Sequence, residues 1–221
     1  MRLKCSLITL FLLSTFPILL RGQVKNGQDS LNVRVDTPSI KLENSSFEAA
    51  LFGNSVWFDC GFARENPPNV LPNDKFQMTT KAFDQSKYLG LVTRDNNTWD
   101  GIGQRLKTRL LANVVYTFSL YACKSSIYTY KNLDTNKLSN YKKPVTLRIW
   151  GGSGYCAKEE LLVETQVIDN EEWKKCEFSI KPKSSTGHIL IEAFYKVPTL
   201  FPYNGNVLID NLSDFVPQKA N

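Results

Sequence analysis

Period-two alternation constrains this chain more than any other feature. Over residues 115–123, Tyr116, Phe118, Leu120 and Ala122 point one way, and Val115, Thr117, Ser119 and Tyr121 point the other. Val145, Leu147 and Ile149 alternate with Thr146, Arg148 and Trp150. Cys176, Phe178 and Ile180 alternate with Lys175, Glu177 and Ser179. Ile189, Ile191, Ala193 and Tyr195 alternate with His188, Leu190, Glu192 and Phe194. Successive side chains of a strand face opposite sides of its sheet, so each run reads as a strand with one buried face. Residues 88–93, 102–106 and 207–212 are further strand candidates. Turn clusters separate the runs: Asn66-Pro67-Pro68-Asn69, Asp95-Asn96-Asn97, Gly151-Gly152-Ser153-Gly154, and the segments 182–187 and 202–205. Residues 158–163 have room for one helical turn, but Thr165, Val167 and Ile168 carry that stretch towards strand. Many short strands with turns between them predict an all-β chain, a two-sheet antiparallel β-sandwich or jelly roll. Residues 124–143, rich in Ser, Tyr, Asn and Lys, read as a long polar connection of the kind that binds or stays disordered.

The first residues bear on the compartment. Arg2 and Lys4 precede an apolar run over 5–20, and Arg21-Gly22 follows. That order is the pattern of a secretory signal peptide over 1–22. The run is 16 residues long and contains Pro17 and hydroxyls, short of the roughly 20 that span a bilayer. Residues 23–40 then read as a polar leader, 41–216 as the sandwich and 217–221 as a polar tail. No other stretch is apolar enough for a transmembrane segment. Losing Arg2, Lys4 and Arg21 lowers the formal charge from +6 to +3, and the lysines are scattered, so composition argues against nucleic acid. Four cysteines remain, Cys60, Cys123, Cys156 and Cys176, with three pairings open. Cys156 and Cys176 are nearest in sequence, and buried free thiols are the alternative. None has the close spacing of a zinc site.

Three segments stand in order along the chain. Asn44-Ser45-Ser46-Phe47-Glu48 is followed by Trp57, Tyr116-Thr117-Phe118-Ser119 lies in the middle, and Ile209-Asp210-Asn211-Leu212 closes. The succession resembles the jelly-roll carbohydrate-binding modules and the wider galactose-binding-like domains, over residues 42–213. The segments 88–106, 147–152, 158–162 and 191–213 are also similar to a secreted, envelope-associated domain of gram-negative bacteria. The resemblance implies a non-catalytic module that binds a polysaccharide. It also implies a periplasmic, outer-membrane or extracellular location. The alternative partner is a protein of an outer-membrane or surface assembly. In the resembling modules the opening Glu and closing Asp help hold a structural calcium, which places Glu48 and Asp210 as its expected ligands here. Calcium takes six to eight oxygens, many from backbone carbonyls. The alternative is that both carboxylates bind nearby backbone amides.

Aromatic rings cover the C–H face of a sugar, and planar polar groups bind its hydroxyls. Trp150 and Arg148 share the face opposite the apolar set of their run. Tyr121 is off the apolar set of its own run, Gln104 lies on a neighbouring candidate strand, and Glu192 is a charge within a core-like run. If these strands line one concave face, the five residues make a groove of suitable chemistry. Catalysis finds little support. The chain has one histidine, His188, and Gly151-Gly152-Ser153-Gly154 lacks the Lys and helix of a phosphate loop.

Overall fold

The computed structural model describes residues 38–51, 53, 56–131 and 136–218. The expected signal peptide, nearly all of the leader and most of the tail lie outside the described residues. Those residues form strands β1 (Trp57–Asp59), β2 (Asn69–Leu71), β3 (Tyr88–Thr93), β4 (Gly101–Leu110), β5 (Tyr116–Cys123), β6 (Thr129–Lys131) and β7 (Leu138–Asn140). These are followed by β8 (Val145–Gly152), β9 (Glu160–Glu164), β10 (Lys174–Ile180), β11 (Thr186–Tyr195), β12 (Gly205–Asp210) and β13 (Val216–Pro217). One sheet has the order β1-β4-β11-β8-β9. The other has β10-β5-β12-β3-β2, with β13 paired to the start of β5. All the strand pairings are antiparallel. The chain changes sheet at β1–β2, β3–β4, β4–β5, β9–β10, β10–β11 and β11–β12, and from β5 to β8 by way of the β6–β7 hairpin, so it crosses the core repeatedly. This is an antiparallel two-sheet sandwich of jelly-roll build.

The alternating runs explain the core. Tyr116, Phe118, Leu120 and Ala122 of β5 are buried against Val145, Leu147 and Ile149 of β8 and Ile189, Ile191 and Ala193 of β11. Each such side chain contributes roughly 1.5–3 kcal/mol by leaving water. The two ends of the sandwich meet. Ile40 and Phe215 exchange backbone hydrogen bonds of 2.9 and 3.0 Å, and the Leu212 amide donates to the Ser45 carbonyl at 3.1 Å.

Two segments differ from expectation. The connection 124–143 carries the β6–β7 hairpin, and Tyr128, Tyr130 and Tyr141 are buried with Leu71, Tyr88, Val92 and Leu208. Buried Asn206 of β12 anchors it, accepting from the Ser125 amide and donating to the Ser125 and Tyr141 carbonyls. Tyrosine brings large apolar area along with its hydroxyl, which is why a run polar by composition packs as a second core. The stretch with room for a helical turn is strand β9, paired to β8.

The one disulfide among the described residues joins Cys60 to Cys156, 96 residues apart, and not the sequence-near Cys156 and Cys176. Cys123 and Cys176 are free thiols. Burial pushes the Cys123 thiol up to about 12, so it stays protonated and inert at neutral pH.

Candidate functional site

The site is built on the outer face of the β1-β4-β11-β8-β9 sheet. Cross-strand register sets its rows. Gly101, Glu192, Arg148 and Glu164 lie side by side, then Gly103, Leu190, Trp150 and Leu161, then Arg105, His188 and Gly152. Glu192 sits near the middle and is 2% exposed. Its carboxylate accepts from the indole N–H of Trp150 through Oε1 and from that of Trp99 through Oε2, each at 2.8 Å. Lys158 pairs with the same Oε2 and lies over the Trp99 ring. A buried carboxylate is costly unless it is paired and hydrogen-bonded, and two indoles and an ammonium meet that need here. Trp99 is held in turn edge-on by Phe62 and Phe194 at 4.8 and 4.9 Å.

The structure thus brings Arg148, Trp150 and Glu192 to one face, but it commits their polar atoms to one another and to their neighbours. Arg148 donates to Glu164 at 2.6 Å, and its guanidinium lies 3.5 Å over the Phe194 ring. Gln104 and Tyr121 lie elsewhere, which corrects the expectation of a five-residue groove. Gln104 is opposite Trp57 and Ile189 in register, both core residues, so its side chain points inward. There its amide makes two 2.9 Å bonds to the backbone of Glu43. Tyr121 belongs to the other sheet and stacks on Phe83 with centroids 3.5 Å apart. A polar residue among apolar ones does not reveal which side it faces when the strand's own alternation is broken by glycines, as at Gly101 and Gly103.

Glu48 and Asp210 bind two ends of one segment. Asp210 Oδ2 accepts the amides of Phe83 and Asp84, both at 2.9 Å, and Oδ1 accepts that of Asn211 at 2.7 Å. Glu48 Oε1 accepts the amides of Ser86 and Lys87 at 3.0 and 2.7 Å, and Oε2 accepts the Ser86 hydroxyl at 2.7 Å. Burial pushes the Asp210 carboxyl up to about 6 against the pull of its three amides. At Glu48 burial acts the same way, but the Ser86 and Lys87 donors outweigh it and hold the carboxyl below its ordinary value. Oxygens that would face a calcium ion face N–H and O–H donors instead. Among the described residues no group of three or more His, Cys, Asp or Glu side chains is placed to hold a metal. These residues do not fit a shared calcium site. They clamp the 83–87 segment by hydrogen bonds, and the thermal midpoint should be the same in 5 mM EDTA as in ~5 mM calcium. A rise of several degrees with calcium would contradict that clamp.

The open part of the face lies towards β1. A cleft of about 450 Å³ is lined by Glu43, Val56, Phe58, Arg105, Leu106, Lys107 and Tyr155. Trp57 and Phe58 are neighbours in β1, so one enters the core and the other faces out. Phe58 lies over Gly103, where an added Cβ would come 2.2 Å from Phe58 Cε2 and 2.8 Å from Cζ. Tyr155 is 69% exposed. It meets Phe58 edge-on at 4.7 Å and His188 at 5.0 Å. The Cys60–Cys156 bond ties the turn that carries Tyr155 to the end of β1. Gly103→Ala should therefore push Phe58 out of place and cost about 1–3 kcal/mol by overpacking, seen as a lower urea midpoint. An unchanged midpoint would mean that Phe58 swings aside freely. Sequence reasoning missed Phe58, Tyr155, Arg105 and Lys107. The signal available was the exposed phase of β4, in which Arg105, Lys107 and Arg109 alternate with Leu106 and Leu110.

No protein-family model matches the chain, and no curated protein matches it. Among solved structures the chain is similar to an arabinose-bound GH51 α-L-arabinofuranosidase (11% identity, TM-score 0.49), over 82% of this chain and 27% of that one. It is similar to the CBM22-1 xylan-binding domain of Paenibacillus barcinonensis Xyn10C (14% identity, TM-score 0.46), over 80% of this chain and 94% of that one. It is also similar to the C-terminal family 22 carbohydrate-binding module of Clostridium thermocellum Xyn10B (14% identity, TM-score 0.42), over 82% of this chain and all of that one. The chain spans little more than a quarter of the first of these.

Proposed function

We propose that this chain is an exported, non-catalytic carbohydrate-binding module whose ligand lies in the cleft beside β1 and β4. The observation that carries the reading is the exposed Tyr155 ring, set against Phe58 and beside Arg105 and Lys107 in an open cleft. An exposed ring offers the flat apolar face that the C–H side of a pyranose covers, and flanking guanidinium, ammonium and carboxylate groups reach its hydroxyls. Phe58 and Tyr155 gain rigidity from the Cys60–Cys156 bond, and a rigid aromatic platform loses little entropy on binding. The same disulfide supports export, because such bonds persist in oxidising compartments. Arg148, Trp150 and Glu192 then act beside the site as the frame that holds the sheet's outer face in shape.

Affinity electrophoresis on soluble polysaccharides tests the reading. At least one glycan should retard the protein, and Tyr155→Ala should weaken that retardation about ten-fold or more, equivalent to about 1.4 kcal/mol. Retardation by no glycan, or an unaffected Tyr155→Ala variant with folding intact, would overturn it. Turnover of a glycoside would overturn the non-catalytic part.

A further inference from the structure

We propose that the cleft takes an anionic polysaccharide, with Arg105 and Arg109 facing its carboxylate or sulfate groups. This rests on the reading of the cleft as the glycan site and names the class of glycan. The outward phase of β4 carries three cations in succession. Arg105, Lys107 and Arg109 are exposed, while Leu106 and Leu110 of the same strand are buried. Arg105 and Arg109 flank the register shift in the β4–β11 pairing, where Arg105 lies opposite His188 and Leu110 opposite Thr186. Lys107 is paired with Glu43, which lines the same cleft. Among the described residues neither Arg105 nor Arg109 has an ion-pair partner, whereas Arg94 is held by Asp100 and Arg148 by Glu164.

His188 lies opposite Arg105 in register, and the Arg109 side chain runs beside the adjacent Gly187. Burial, with the charges of Arg105 and Arg109, holds the imidazole below its ordinary pKa. Both arginines therefore act on a ring that is itself 5.0 Å from Tyr155 and 6.4 Å from Phe58. The rings and the free Arg105 guanidinium line one cleft, and the Arg109 side chain lies by Gly187, the chain neighbour of His188. A neutral sugar would use the rings and leave two planar forks without acceptors. A sugar bearing a carboxylate or sulfate uses both, because a guanidinium binds such groups bidentately.

The test uses the full chain in gels containing dextran sulfate, polygalacturonate, neutral dextran or neutral xylan. The sulfate and uronate arms distinguish the two anions. One of them should retard the protein about ten-fold more strongly than the neutral polymers. Arg105→Ala/Arg109→Ala should remove most of that difference, while Lys174→Ala/Lys181→Ala, exposed on and just beyond β10, should leave it. His188 is the chain's single histidine, so its imidazole resonance is assignable without other labels. Added polyanion should raise its NMR titration midpoint by offsetting the two guanidiniums. Neutral polymers that bind as well as charged ones would sink the anionic proposal and leave the glycan reading standing. Polyanion binding that survives the arginine substitutions would show diffuse surface charge and also sink it. No retardation by any of the four polymers would overturn the glycan reading along with it.

Discussion

Replacing Cys60 and Cys156 by serine should lower the stability of this protein by about 4–5 kcal/mol, since the bond closes a loop of nearly a hundred residues. The cross-link joins positions 96 residues apart, and restricting so long a loop removes much of the freedom of the unfolded chain. The expected result is a urea midpoint that falls sharply on reduction in the wild type and is low, and indifferent to reductant, in the double variant. Glycan binding should fall as well under conditions where the variant is still folded, because the turn bearing Tyr155 loses its tie to β1. Equal midpoints with and without reductant would show that the bond does not constrain the fold.

Removing the Glu192 carboxylate has a comparable expected effect by a different route. Glu192→Ala leaves two indole N–H groups and the Lys158 ammonium without their shared acceptor. Taking one partner from a buried charged group costs roughly 3–5 kcal/mol. Glu192→Gln should cost less but still destabilise, because its amide nitrogen would face donors where Oε2 now accepts two. Trp99 and Trp150 should become more exposed, shifting the tryptophan emission to the red. A Glu192→Ala variant that keeps its midpoint and its emission would show that the indoles and lysine find water or other acceptors at no loss.

Most of the framework is legible in the sequence. Alternation predicts the inward sets of 115–123, 145–150, 175–180 and 188–195, and each is buried or turned to the core in its strand. The hairpin within 124–143 was not legible, because its three tyrosines are spaced among polar residues and their burial depends on the outer face of the other sheet. The site was legible only in part. Arg148, Trp150 and Glu192 were placed on one face by phase, but phase does not show that Trp99 and Lys158 arrive from distant turns to occupy it. The outward position of Phe58 follows from β1 being a strand at all, and that strand is three residues long, too short for a pattern.

What the sequence determined by itself is the all-β sandwich, because the periodicity of apolar side chains is a local property and a strand can bury only one phase of it. Which cysteines join, which polar residues are already bonded to one another, and which aromatic rings remain free were decided by the tertiary structure. Each of those depends on residues far apart in sequence meeting at one point, as Cys60 meets Cys156 and Trp99 meets Glu192, and no local pattern encodes such a meeting.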